Sequence, residues 1–421
     1  MWDALKTSWA LFFGMLLLMV SNGLLVTLLT LRGTELGFGD TTIGLMQSGY
    51  PAGALFGCIY APRLVAKVGH IRAFAALASL ASTAALVHLV TLDPWSWGAM
   101  RALSGFCFSG LYVVSESWLN GRATNRNRAS LLSIYFVIQT GGSAAGQLLL
   151  NLSSPSGVLL FVVTSILVSL SLVPILISAT RAPTFEAPER ISLRALFKLS
   201  PMGLTGSFLN GIAQGTLYVG LAVFGAAIAL PPGQVGMLVG AATVGGMLLQ
   251  VPVARLSDRL DRRIVILGVA LLALPLCFFL AASTEPGSPG GPASGKADWG
   301  LLLCLAALGG LILPIYSLCI AHTNDYLRPG QVVPASGTLV LVLNGGIIIG
   351  PTAGAWAVGQ LGPAGLFYLL ALLQGLTALA GVIRLMSGRA RAQSPGRAVA
   401  VSHSATPLAA QLNPEADSKD E

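Results

Sequence analysis

Residues 101–120, RALSGFCFSGLYVVSESWLN, hold an arginine and a glutamate fifteen positions apart in an otherwise apolar stretch. Arg101, Gly105, Ser109, Tyr112 and Glu116 follow one another at steps of 4, 4, 3 and 4, which places them on one face of a helix. At about 1.5 Å per residue the two charges stand roughly 22 Å apart along the axis. A charge inside a bilayer costs several kcal/mol and is kept where it meets water, a partner or a pathway. Arginine does not give up its proton, so its chemistry is to hold an anion or bias a nearby acid. A carboxyl in an apolar span is the group able to exchange a proton near neutral pH. Glu116 is therefore the expected proton carrier and Arg101 its partner in coupling. The competing reading has Arg101 reaching outward from its place four residues past Trp97, with Glu116 at the opposite interface.

Uncharged polar residues in other apolar runs form a second set. Asn22, Asn210 and Gln214 form one group, of which Asn22 and Gln214 would lie near mid-membrane; Gln139, Gln147 and Asn344 are similar, and Tyr112 and Tyr316 add phenols. They are candidates for substrate contact. The alternative is hydrogen bonding between helices, at about 0.6 kcal/mol each. A third set is charged and sits at helix ends: Asp258, Arg259, Arg262, Arg263, His322 and Asp325. An acid there can hold a facing helix N-terminus and neighbouring arginines, a latch made in one conformation and broken in another. No phosphate-binding glycine loop, zinc spacing or nucleophile triad accompanies these residues, so no cofactor, metal or catalytic role is expected.

The elements that must position them are membrane helices. Apolar residues make up 54% of the 421-residue chain and charged residues 10%, against about 25% charge in a soluble domain. Continuous apolar runs argue for helices over an alternating β-barrel. All five cysteines fall inside such runs, which speaks against a disulfide framework. Twelve spans fit: 9–31, 42–64, 73–92, 97–119, 130–152, 158–178, 201–225, 235–257, 264–284, 299–321, 332–357 and 364–386. The N-terminus reads as a retained first span with no cleavage site. Loops after odd-numbered spans hold only Arg32 and Lys296, whereas the other basic residues, Arg101 apart, lie in or beside the even loops and the tails. The positive-inside rule then places both termini in the cytoplasm and explains the net charge of +8 without nucleic acid.

The expected organisation is a six-helix bundle over 1–178, a polar linker over 179–200, a second bundle over 201–387 and a disordered cytoplasmic tail over 388–421. The bundles repeat. At an offset of 192, Gly14, Gly23, Gly44 and Gly53 fall on Gly206, Gly215, Gly236 and Gly245, and Asn22 falls on Gln214. At 204, Trp95, Gly105, Tyr112, Asn120, Gly142 and Gly146 fall on Trp299, Gly309, Tyr316, Asn324, Gly346 and Gly350. Six spans per copy give both copies one orientation, related by an axis along the membrane normal.

Within this frame the loop Ala254-Arg-Leu-Ser-Asp258-Arg259-Leu-Asp261-Arg262-Arg263 resembles the G-x-x-x-D-R-x-G-R-R signature of the major facilitator superfamily, with Ala254 and Asp261 in the glycine positions. Its first-half counterpart has Ala66 where the acid belongs. Arg101-Ala-Leu-Ser-Gly105 is similar to that family's span-4 motif R-x-x-Q-G, and Gly142 to Gln147 half matches the span-5 antiporter pattern. The strings SESWLNGRATNRNRASLLSIY and GQLLLNLSSPSG resemble a branch of uncharacterised bacterial members. The resemblance implies an all-helical twelve-span carrier of two pseudo-symmetric halves in the cytoplasmic membrane. It also implies a small-molecule substrate, alternating access and a span-4 arginine tied to proton coupling or an anionic substrate.

The expectation is a monomeric secondary transporter driven by protons, with export favoured over import. An importer, symporting or uniporting, is the alternative. A passive channel would need a polar face on several spans, and only span 4 shows one. A receptor or enzyme would need larger loops than any present here.

Overall fold

The computed structural model describes residues 2–121, 123–124, 127–177, 191–284, 297–328, 331–387, 406 and 408. These form fourteen α-helices: α1 (Trp2–Glu35), α2 (Asp40–Val68), α3 (His70–Val90), α4 (Pro94–Asn120), α5 (Arg128–Leu148), α6 (Leu159–Ile177), α7 (Leu193–Leu199), α8 (Pro201–Ala227), α9 (Pro232–Arg259), α10 (Arg262–Ser283), α11 (Trp299–Ile312), α12 (Ile315–Asn324), α13 (Val332–Leu361) and α14 (Gly365–Met386). Among the described residues, nine helical segments are long and apolar enough to cross a membrane, α11 and α12 counting as one. The long helices α2, α4 and α5 are outside that set. Arg101 and Glu116 in α4, and Gln139 and Gln147 in α5, dilute their apolar runs.

Local chemistry fixes the helix ends. The Asp93 carboxylate accepts from the Ser96 N–H at 2.8 Å and Pro94 opens α4. Ser200 and Pro201 do the same for α8, and Asp298 caps α11 at Leu301. Gly69 turns α2 directly into α3 at φ +85°, a conformation suited to glycine. Two elements, one span and the linker, differ from the sequence expectation. The tenth is broken at Leu313–Pro314 because proline removes a backbone donor and crowds the preceding turn. In the polar linker, residues 193–199 form the short helix α7, and 179–190 lie outside the described residues, as do 285–296. The tail, expected to be disordered, also lies outside them except at Thr406 and Leu408, which are buried against the first half.

Glycines set how closely the helices approach. A Cβ on Gly53 would strike the Ala102 carbonyl, and one on Gly105 the Tyr50 carbonyl, where α2 crosses α4. At offsets 192 and 204, Gly245 faces the Ala306 carbonyl and Gly309 the Ala242 carbonyl, where α9 crosses α11. Gly146 against Val20 and Gly350 against Ile212 repeat the pattern for α1–α5 and α8–α13. Such small-residue contacts replace the hydrophobic drive that lipid cannot supply. We expect Gly53→Val and Gly245→Val each to cost about 1–3 kcal/mol and to lower the melting temperature in detergent. Gly375→Val, with open space around it, serves as the neutral control.

Between the halves, α2 packs on α13 and α5 on α9. The seal lies at the end of the bundle remote from the start of α1. There Gly44 meets Pro351 and Thr352, Ser48 and Thr352 share a 2.9 Å hydrogen bond, and Gly236 meets Gln147.

Candidate functional site

Where α1, α2, α4 and α5 of the first half face α8, α9 and α13 of the second, they line a partly open cavity of about 120 Å³. Arg101 projects into it. Its side chain is only 2% exposed, its Cζ lies 4.4 Å from the Tyr50 ring centroid, and its Nε and Nη1 have no hydrogen-bond partner. Gly105, one turn on, lets the α2 backbone approach and brings the Tyr50 ring to the guanidinium. Ring and cation attract through the ring quadrupole, which offsets part of the cost of burying the charge.

Other lining groups have spare hydrogen-bonding capacity. The Asn22 Oδ1 and Gln47 Oε1 atoms are unpartnered, whereas the Gln47 amide donates to the Val26 carbonyl at 2.8 Å and to Thr30 at 3.0 Å. Gln147 donates to the Gly23 carbonyl and accepts from Thr27, so it ties α5 to α1. Tyr112 also lines the space, with its hydroxyl 3.8 Å from the Met19 sulfur. Among the described lining residues there is no aspartate or glutamate.

The polarity is lopsided. Offset positions turn Gln47 into Val239, Gln147 into Pro351, Tyr50 into Ala242 and Arg101 into Leu305. Val239 and Pro351 line the cavity opposite their polar counterparts, together with Val219 and Ile347. The first half thus presents the charge and most of the hydrogen-bonding groups, and the second half an apolar wall interrupted by Tyr218 and Asn344.

The structure divides the sequence candidates. Asn22, Tyr112, Asn344 and Arg101 line the cavity. Asn210 and Gln214 do not: Gln214 donates to Asn210 at 2.6 Å, and Asn210 donates to the Ile312 carbonyl at 2.7 Å, fastening α8 to the broken span. Tyr316 is buried in a cluster with Cys58 and Leu343, and Gln139 is buried with neither amide atom partnered. Both stand outside the lining set. Tyr50, Gln47, Tyr218 and Ser143 line the cavity and were not singled out from the sequence. A signal existed for the first two, which sit three apart in an apolar run, as helix neighbours do.

Glu116 is elsewhere. It is fully buried near the end of α4, where its carboxylate accepts from the Tyr135 hydroxyl at 2.8 Å, from the Thr406 N–H at 3.0 and 3.2 Å, and from the Thr406 hydroxyl.

The charged set at the helix ends connects α9, α10 and α12 within the second half. Arg262 Nε meets Asp325 at 3.1 Å, with Asp258 at 3.9 Å, and all but about 5–6% of the Arg262 and Asp325 side chains is buried. His322 lies edge-on to Tyr326, with centroids 5.1 Å apart. Arg259 closes the last turn of α9. Asp325→Asn is expected to cost about 2 kcal/mol, less than for a fully orphaned buried charge because Asp258 stays within reach. A lower melting temperature, largely recovered in the Arg262→Met/Asp325→Leu double variant, is the check. The hydrogen bond from the Arg263 guanidinium holds the Asp261 carboxyl below its ordinary value. That pair stabilises the fold at neutral pH and loses its effect as the pH falls through the depressed value.

A family model described as Major Facilitator Superfamily matches residues 11–227 and 203–410. A curated relative from Salmonella arizonae, the uncharacterized MFS-type transporter YcaD, is 27% identical over 364 residues, 85% of this chain and 90% of the relative. The protein of that name from Salmonella typhimurium matches to the same extent. Among solved structures, a point variant of the nucleoside transporter NupG superposes with a TM-score of 0.71 at 14% identity, covering 90% of this chain and 99% of that one. A point variant of the Escherichia coli fucose:proton symporter FucP gives 0.55 at 18%, covering 90% and 99%. At such identities these two speak for the fold alone.

Proposed function

Because the chain belongs to the major facilitator superfamily, we propose that it is a proton-linked secondary carrier for a small organic anion with an apolar or ring-bearing body. One observation carries the substrate class: the buried Arg101 guanidinium faces the cavity with two nitrogens unpartnered and no carboxylate among the described lining residues. A carboxylate or phosphate on the solute would supply the missing acceptor atoms. Asn22, Gln47 and Tyr112 would orient its polar substituents, and the wall around Val219, Val239 and Ile347 would take the apolar part.

Twelve helices crossing the cytoplasmic membrane, both termini inside, would make the sealed end the outer one. The arrangement would then be the inward-open member of an alternating pair. In this reading the charged cluster at 258–263 with His322 and Asp325 braces the second half as it rocks, and Glu116 takes up the coupled proton. The carrier acts as a monomer and catalyses no covalent chemistry, and export is the favoured direction. A neutral hydroxylated solute is the second reading, because both solved neighbours are named for nucleoside or fucose.

The test is purified protein in liposomes under an imposed pH gradient, with lumenal pH followed as carboxylates, phosphate esters, nucleosides and sugars are added in turn. Proton flux that appears with an organic anion supports the proposal. Flux only with nucleosides or sugars moves the assignment to the second reading, and flux with none rejects proton coupling.

A further inference from the structure

We infer that Thr406 and Leu408 are an intrachain ligand, held by Glu116, Asn120 and the apolar cluster beside them at the end of α4. The chain leaves α14 at Met386, and α14 packs on α8, α10 and α13 of the second half. Thr406, twenty residues further along the sequence, sits on α4 of the first half.

The pocket reads the segment by main-chain chemistry. The Glu116 carboxylate accepts the Thr406 N–H and its hydroxyl, and the Asn120 side-chain amide donates to the Leu408 carbonyl at 2.8 Å. An acid and an amide one helical turn apart therefore hold the backbone donor of Thr406 and the backbone acceptor of Leu408. Leu408 is 2% exposed and belongs to the apolar cluster of Leu119, Leu131 and Tyr135. The sequence favours this pose. Pro407 follows Thr406, and a residue before proline is pushed away from helical geometry toward extended backbone. The Leu408 N–H adds a 3.4 Å contact to the Thr406 hydroxyl.

The contact bears directly on Glu116. While docked, the segment caps Glu116, so undocking controls access to that carboxylate. The consequence for transport rests on the carrier reading, whereas the docking itself does not.

The experiment is hydrogen exchange by mass spectrometry on the full chain in detergent, comparing wild type with Thr406→Pro, which removes both the N–H and the hydroxyl. In wild type the Thr406 and Leu408 amides, read from overlapping peptides across 402–412, are expected to exchange at least about tenfold more slowly than in an unprotected chain, and the Leu408 amide to lose that protection in the variant, which has no amide at 406. An apolar carbodiimide should correspondingly modify Glu116 faster in Thr406→Pro. Wild-type exchange at the unprotected rate would overturn the docking, whatever the outcome of any transport assay. Protection that survives Thr406→Pro would overturn the assignment of Thr406 as the ligand.

Discussion

Replacing Arg101 by methionine is expected to abolish anion binding while leaving the protein at least as stable. The guanidinium is buried, belongs to no ion pair among the described residues, and carries two nitrogens without a partner. Removing one partner of a buried charge pair costs about 2–5 kcal/mol, a rise in Kd of roughly 30-fold to a few thousand-fold. The stability effect runs the other way. In the empty carrier the desolvated charge has only the Tyr50 ring to compensate it, and an apolar side chain of similar length relieves that cost. A raised or unchanged melting temperature together with lost binding is therefore the signature. Arg101→Lys keeps the charge without the planar fork and should retain binding weakened about tenfold. The measurements are solute-induced thermal shifts and counterflow in liposomes. An Arg101→Met variant that binds anions normally would return Arg101 to a packing role with Tyr50.

Much of this arrangement was legible because it is written in local spacing. The steps from Arg101 to Glu116 define one face of α4, and the glycine offsets of 192 and 204 appear in the structure as matching crossings of α2 with α4 and α9 with α11. The face is longer than the cavity, and spacing along one helix cannot show that. Its first part, Arg101 to Tyr112, lines the cavity between the halves, whereas Glu116 falls under Thr406. The role of Tyr50 was equally hidden, because its value lies in a ring placed over a cation of another helix. Asn210 and Gln214 illustrate the opposite case. Their spacing of four already permitted an internal amide pair, and the pair forms, consuming groups that looked available to a solute.

Glu116→Gln should separate the two tasks that converge on that carboxylate. Glutamine has nearly the same shape and keeps one oxygen able to accept the Thr406 N–H, so Thr406 retains part of its anchorage. It cannot titrate. If Glu116 carries the coupled proton, the variant loses accumulation driven by a pH gradient yet still exchanges labelled solute across the membrane, because rocking of the loaded carrier needs no protonation change in an exchange cycle. Thr406→Pro supplies the contrast: it removes the Thr406 contacts to Glu116 and leaves the carboxyl intact. We expect it to keep pH-driven accumulation, with a faster initial rate as access to Glu116 opens. A Glu116→Gln carrier that still accumulates solute under a pH gradient would reduce Glu116 to an anchor for the tail. In that event both substitutions should change the rate in the same direction, and the proton would have to travel on the solute, whose anionic group Arg101 meets in a cavity where the described lining holds no acid of its own.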